Sequence, residues 1–317
     1  MKRLSALALL VVAASAAAQD YPSRPIHIVV PYTPGTGADI LSRVLGPKIQ
    51  ERWHAAVVTD NKPGAGGNIG AESVARAPAD GYTFLLAATS FSSNPTLSRA
   101  LPYDPVKSFS PVVMVATSGL GVYVHPSLPV RTLREFIAYA KQRPGKLYYS
   151  SPGTGNVQHL AMELLKQETG IDIVHVPYKG AAGAVADLVG GQVQATVAAI
   201  QSVAPHVHSG RLRMLAIMSA KRSEAFPDVP TLAEQGLPDI EVETWYGLLA
   251  PAGTPEAIVA RWNAEVNELM KEPELKDVVA KQGLVPAGGT SQRFAERIQR
   301  ELARWSAVVK KAGIKAE

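Results

Sequence analysis

Short β-rich runs alternate with helix-patterned stretches twice along this 317-residue chain, and that rhythm restricts its fold more than any other feature. From Ile26 the order is IHIVV, a helix over Ala38 to Trp53, AAVVTD, a helix over Asn68 to Arg76, and YTFLLAA. After Pro111 it restarts with VVMVAT, LGVYVH, a helix over Thr132 to Arg143, LYYSS, a helix over Asn156 to Thr169, IVHVP, a helix over Ala182 to Val189, VQATVAA and RMLAIMS. Strand alternating with helix predicts parallel α/β units. With 46% hydrophobic residues the chain exceeds the size at which a single core divides, so two domains are expected. Val242 to Leu249 reads as a strand returning to the first unit, and the tail from Pro255 as helical. There Phe294, Ile298, Leu302, Trp305 and Val309 recur on one helix face, a core stripe.

The same tetrapeptide stands at one strand-to-helix turn of each unit. Pro-Gly-Thr-Gly occupies Pro34 to Gly37 within VPYTPGTGAD, and Pro152 to Gly155 within YSSPGTGNVQHL. Glycine gives such a turn backbone freedom and lets a ligand approach the amides. The first amides of the following helix lack intrahelical partners and carry partial positive charge, which suits an anion. A single turn of this kind is usually only a turn; the duplication is what points to a ligand. In open parallel sheets ligands bind beyond the carboxyl ends of the strands. Two lobes would then present two dipole-rich jaws to one small anion. Neither loop contains Lys or Arg, and a carboxylate held by amides and hydroxyls is released more readily than one locked in a buried ion pair.

The N-terminus reads as a secretory signal. Lys2 and Arg3 precede an apolar run ending in Ala16-Ala17-Ala18, with cleavage expected after Ala18. Removing that segment takes the formal charge from +5 to +3, an ordinary surface balance. No cluster of Lys and Arg with interleaved aromatics suggests nucleic acid. The chain has no Cys, so it carries neither disulfides nor a lipid anchor on an N-terminal Cys.

Other chemistry lacks its signature. KPGAGGNIGAES misses the dinucleotide-binding spacing, and neither a phosphate-binding Gly-Lys-Ser/Thr loop, a Gly-x-Ser-x-Gly elbow nor a His-Glu-x-x-His helix occurs. His206 and His208 have no third ligand nearby and read as a solvated helix end, so no metal and no cofactor is expected. Asp39, in a first helical turn, reads as a cap or dipole partner. His159 could reach the cleft or pack beneath the second loop. Lys179 could lend charge near that loop, and Thr89, Ser90 and Ser92 offer hydroxyls at a third strand end.

Several long blocks, in order, carry a resemblance over essentially the whole mature chain: YPSRPIHIVVPYTPGTGAD, DNKPGAGGNIGAESVARAPADGYTFLLA, LPYDPVKSFSPV, the stretch from Ser150 to Val193, and ETWYGLLAPAGTP. They are similar to the Bug-type solute receptors of the tripartite tricarboxylate transporters. The resemblance implies a two-lobed periplasmic-binding-protein fold, a Venus flytrap of type II, that is no enzyme. Its expected divisions are a signal peptide over 1–18, a first lobe over 19–119 and 245–317, and a second lobe over 120–244. It implies a monomeric periplasmic receptor holding a small carboxylate and serving a membrane permease of one large and one small subunit. By position the implied contacts are Tyr32, Thr33, Gly35, Thr36 and Asp39 on one side, with Asn68, Thr89 and Ser90 behind. On the other they are Ser151, Gly153, Thr154, Gly155, Asn156 and His159. The chain departs where relatives often carry Asp: Gln194 and Ala198 stand there, disfavouring a ligand ammonium. With Ala198, Ala199 and Phe91 taken as ligand-facing, an aliphatic or aromatic acid is expected.

Overall fold

The computed structural model describes residues 21–98 and 100–314. The expected signal segment lies outside them. In chain order the first unit runs β1 (Ile26–Val30), α1 (Gly37–Trp53), β2 (Val57–Asn61), α2 (Asn68–Ala75), β3 (Thr83–Ala88) and α3 (Ser90–Ser93). The long β4 (Phe109–Val124) leads to α4 (Leu133–Lys141), β5 (Tyr148–Ser151), α5 (Val157–Thr169), β6 (Val174–Pro177), α6 (Ala181–Val189), β7 (Ala195–Ala199), α7 (Ile200–His208) and β8 (Arg213–Ile217). The chain then forms β9 (Glu243–Pro251), α8 (Glu256–Leu269), α9 (Pro273–Lys281), β10 (Val285–Pro286) and α10 (Ser291–Ala312).

The strands lie in the order β2-β1-β3-β9-β4-β7-β5-β6, with β8 and β10 also pairing with β4. Parallel pairing holds within β1, β2 and β3 and within β5, β6 and β7. The fold is nonetheless mixed, because β9 and β4 run antiparallel to their neighbours. VVMVAT and LGVYVH, read as two strands, are one. Phe109 to Gly119 pairs with β9, and Leu120 to Val124 pairs with β7, so β4 joins the two sheet sections without a turn. The Thr117-Ser118-Gly119 break that separates the two apolar runs in sequence is not a turn: it is where the strand changes partner from β9 to β7.

Register fixes where the loops point. Ala88 at the end of β3 opposes Tyr246, and Glu243 opposes Gly119, so the carboxyl ends of the first parallel set face the crossing. On the other side Leu120 opposes Ala199, and Ser150 pairs with Thr196, so β7 and β5 also end there. The two Gly-rich turns therefore meet the boundary from opposite lobes, as open α/β sheets require of a shared ligand.

Each lobe has its own apolar core. Ile26, Leu41, Phe84 and Trp262 belong to one cluster of the first lobe, and Leu85, Trp245 and Phe294 to another. Leu120, Tyr149, Leu160 and Leu165 lie in the second lobe's main cluster. The core stripe of α10 spans both: Phe294 and Ile298 pack with the first lobe, whereas Trp305, Val308 and Val309 pack with the second. Twenty-two residues of helix, roughly 33 Å at 1.5 Å each, are long enough to cross the boundary. The tail is thus shared between lobes and not confined to the first.

Candidate functional site

In the first loop, Thr36 caps α1 in extended conformation, and its side chain makes no capping hydrogen bond. Its hydroxyl donates instead to the Thr33 carbonyl at 3.0 Å. The amide of Gly35, at φ +84°, donates to Asp39 Oδ2 at 2.9 Å. Asp39 Oδ1 accepts from Arg43 Nε and from Asn61 Nδ2, both at 3.0 Å. Burial alone would raise the Asp39 carboxyl, but hydrogen bonds from Arg43, Gly35 and Asn61 outweigh it and hold the group below the usual carboxylate range. Asp39 is 3% exposed, so it braces the loop from beneath.

The second loop is built on the same plan, shifted by two residues within the tetrapeptide. Its cap is Asn156, whose Oδ1 accepts from the His159 amide at 2.9 Å. The amide of Gly155, at φ +77°, donates to His159 Nδ1 at 2.9 Å. In both loops a left-handed glycine just before the cap gives its amide to the side chain of the third helical residue. That residue is a charged Asp39 in one lobe and a neutral His159 in the other. Burial, then nearby Lys166, brings the His159 imidazole down to about 4. The two open readings of His159 resolve in favour of packing beneath the loop: it is 3% exposed.

Behind the loop, His175 stacks on His159 with centroids 3.8 Å apart and planes 9° from parallel. The Ser151 hydroxyl donates to the Gly153 carbonyl at 2.9 Å, which leaves its oxygen to accept from His175 Nε2 at 2.7 Å. His175 opposes Tyr149 in register, so both project onto the face that α5 covers. Sequence reasoning missed His175. The period-2 pattern of IVHVP was its one signal, placing a polar ring between two valines.

The remaining candidates divide into a cleft wall and a support. The Tyr32 hydroxyl accepts from the Ala88 amide at 3.0 Å and shares a 2.7 Å hydrogen bond with Ser90 Oγ. Asn68 Oδ1 accepts from Tyr103 Oη at 2.9 Å and from Asn94 Nδ2 at 3.2 Å. Tyr32, Asn68, Ser90, Asn94 and Tyr103 line a narrow crevice behind the first loop. Thr33, Gly35 and Thr154 are exposed at the loop surfaces, and Ser151 is buried. Thr89 accepts from the Trp245 amide at 2.7 Å and is 1% exposed. Ser92 donates to Glu301 Oε2 at 2.7 Å. Both hydroxyls tie the loop after β3 to the boundary.

Three sequence expectations need correction. Phe91 is not on the open surface: it is 3% exposed, packs with Tyr103 and Phe109, and meets only the inner side of the crevice behind the first loop. Ala198 is buried in the second lobe's apolar cluster with Tyr123, Val185 and Ile200. Gln194 accepts from the Tyr148 amide at the end of β7 remote from the boundary, so its departure from Asp has no bearing on a ligand. All three positions lie near turns in sequence, where alternation alone could not say which way a side chain points. His206 and His208 end α7, but the end is only partly solvated: His208 is exposed and stacks on Phe226, whereas the Nδ1 of His206 is buried; among the described residues no group of three metal-ligating side chains converges. Also among them, no helix is long and apolar enough to cross a membrane.

Two lobes joined by continuous strands, with paired Gly-rich helix starts facing the boundary, define the class of two-lobed solute-binding receptors. The family described as "Tripartite tricarboxylate transporter family receptor" (TctC) matches residues 41–314. The chain is 38% identical to protein BugT of Bordetella pertussis over 306 residues, covering 96% of this chain and 94% of that one. The solved structure "R. palustris Rpa4515 with adipate" is 37% identical with a TM-score of 0.78, covering 93% of this chain and 99% of that one. MatC (Rpa3494) from Rhodopseudomonas palustris with bound malate is 30% identical with a TM-score of 0.74, covering 91% and 100%. This chain belongs to the TctC receptor family, whose members are periplasmic solute-binding receptors and not enzymes.

Proposed function

We propose that the protein captures a small aliphatic carboxylate between its lobes and delivers it to a two-subunit membrane permease, acting as a monomer exported by its N-terminal segment. The lobes are 19–119 with 245–317, and 120–244, with the end of α10 reaching across. Ligand contacts come from Tyr32, Thr33, Thr36, Asn68 and Ser90 on one side and from Ser151, Gly153, Thr154 and Asn156 on the other. Gly35 and Gly155 shape the loops, Asp39 and His159 brace them, and Thr89 anchors the wall.

The observation that carries this reading is the difference between the two helix starts. At α1 the negative Asp39 sits in the first turn and offsets the positive helix end. At α5 the corresponding residue is neutral, no acidic residue occupies the first turn, and Asn156 caps only the His159 amide. The remaining amides of that turn have no intrahelical partner. The acid group therefore seats at α5, and the hydroxyl-rich first loop closes over it. Relatives solved with adipate and malate support a dicarboxylate.

Closure follows if the ligand touches both lobes, because only contacts made in the closed state favour it. A thermal-shift and calorimetric screen of adipate, malate and their mono-acid and amide analogues tests the reading. A true ligand at 100 times its Kd stabilises by about 2.7 kcal/mol. Loss of binding when a carboxylate becomes an amide is expected; equal binding of the amide, or no stabilisation by any acid, would contradict it.

A further inference from the structure

We infer that His159, with His175 stacked behind it, is a positioning residue that holds the second loop in its ligand-accepting shape and makes that grip labile to acid. The inference rests on the proposed role of this loop and names how it is regulated.

Geometry sets the tautomers. Because the Gly155 amide donates to Nδ1, His159 carries its proton on Nε2. His175 donates from Nε2 to Ser151, whose own proton goes to the Gly153 carbonyl. Two rings 3.8 Å apart thus fix both halves of the loop, one at Gly155 and one at Ser151 and Gly153. A proton added at His159 Nδ1 would point at the Gly155 N–H and remove the acceptor. His175 keeps its Nε2–H when protonated, so it contributes by repulsion between the stacked rings.

The surroundings offer an imidazolium little relief. From β5, Tyr149 donates its hydroxyl to Glu163 Oε1 at 2.6 Å. From α5, Lys166 donates to the same oxygen at 2.7 Å, so the carboxylate already has a cation. Beside β6, the Tyr178 hydroxyl donates to Asp187. α10 brings Trp305 and Val308 to the adjoining core, and the first lobe brings Leu97 against Gly155; none of the three is charged. Burial brings both imidazoles down to about 4, with the opposite ring the next cause for His175.

The sign follows from linkage. A loosened loop exposes imidazoles to water, where they titrate near 6.5. The packed loop is therefore fully favoured above about pH 6.5, and that advantage is lost as pH falls toward about 4. The corresponding brace in the first lobe, Asp39, has its carboxyl lowered, so it stays ionised over this range and that loop keeps its shape.

Two measurements test this. Imidazole 15N shifts and exchange of the Gly155 amide, followed from pH 7.5 to 4.5 without ligand, decide the positioning claim alone. An unprotonated His159 Nδ1 and a protected Gly155 amide above pH 6 are expected; ordinary titration near 6.5 or an unprotected amide overturns it. Adipate and malate affinities are then measured for the wild type, His159→Leu and His159→Asn. The Asn amide oxygen can replace Nδ1 as acceptor without titrating. His159→Leu should bind at least tenfold more weakly at pH 7.5, with His159→Asn recovering most of that. From pH 7.5 to 4.5 the wild type should lose at least threefold more affinity than His159→Asn, which corrects for protonation of the acid itself. Equal losses in the two proteins overturn the acid-lability claim. Failure of both acids to bind even the wild type counts against the proposed ligands and leaves the spectroscopic result to decide the role of His159.

Discussion

Gly155 of the second lobe lies directly against Leu97 of the first: a Cβ on Gly155 would stand 2.1 Å from Leu97 Cδ1. Loop and opposite lobe are in contact through the one residue type that leaves room. Gly155→Ala combines this overlap with a left-handed φ of +77°, a conformation that costs an L-residue about 1–2 kcal/mol. Urea denaturation should register that loss. Adding Leu97→Ala should relieve the overlap but not the backbone term, so the double variant recovers ligand affinity more than stability.

Asp39 gathers three hydrogen bonds beneath the first loop. Asp39→Ala should cost about 1.5–3 kcal/mol, the range for hydrogen bonds to a charged group. Because its folded pKa is lowered, the stability it contributes is present above the ordinary Asp value and lost as pH falls through the folded one. Stability curves against pH should therefore show a shallower acid limb in Asp39→Ala than in the wild type.

Glu301 links α10 to the boundary, accepting from Trp245 Nε1 at 2.6 Å and Ser92 Oγ at 2.7 Å on one oxygen and from Arg297 Nε at 3.0 Å on the other. It is 8% exposed. Glu301→Ala leaves the fully buried indole N–H of Trp245 without its acceptor and Arg297 with Glu243, at 3.6 Å, as its remaining carboxylate, at a cost of about 3 kcal/mol. Glu301→Gln retains an acceptor and should cost less. Chemical denaturation of both variants checks the order.

Much of this arrangement was legible in the residues. The strand and helix rhythm located every strand but the short β10 and the helices between the parallel strands, though not α3 or the division of the tail into α8, α9 and α10; the repeated tetrapeptide located both loops, because glycine at a strand-to-helix turn reflects a local backbone need. What escaped was set by contacts distant in sequence. The two apolar runs of β4 were legible as strands, but nothing near Gly119 announces that they are continuous and serve two sheet sections, because the pairing partners β9 and β7 lie far away in sequence. The repeat also misled in detail: Thr36 caps α1, whereas Thr154 lies two residues before its cap at Asn156. The equivalence of Asp39 and His159 appears only once the caps are known, and His175 joins the site through strand register with Tyr149.

The central claim is that one acid bridges both loops. Amide 1H–15N shifts recorded while adipate or malate is titrated into the protein test it most directly. The account predicts that Thr36 and Gly37 of the first lobe and Thr154 to Gln158 of the second move together, along a single isotherm. Saturable binding that shifts amides of only one loop, or of neither, would contradict it.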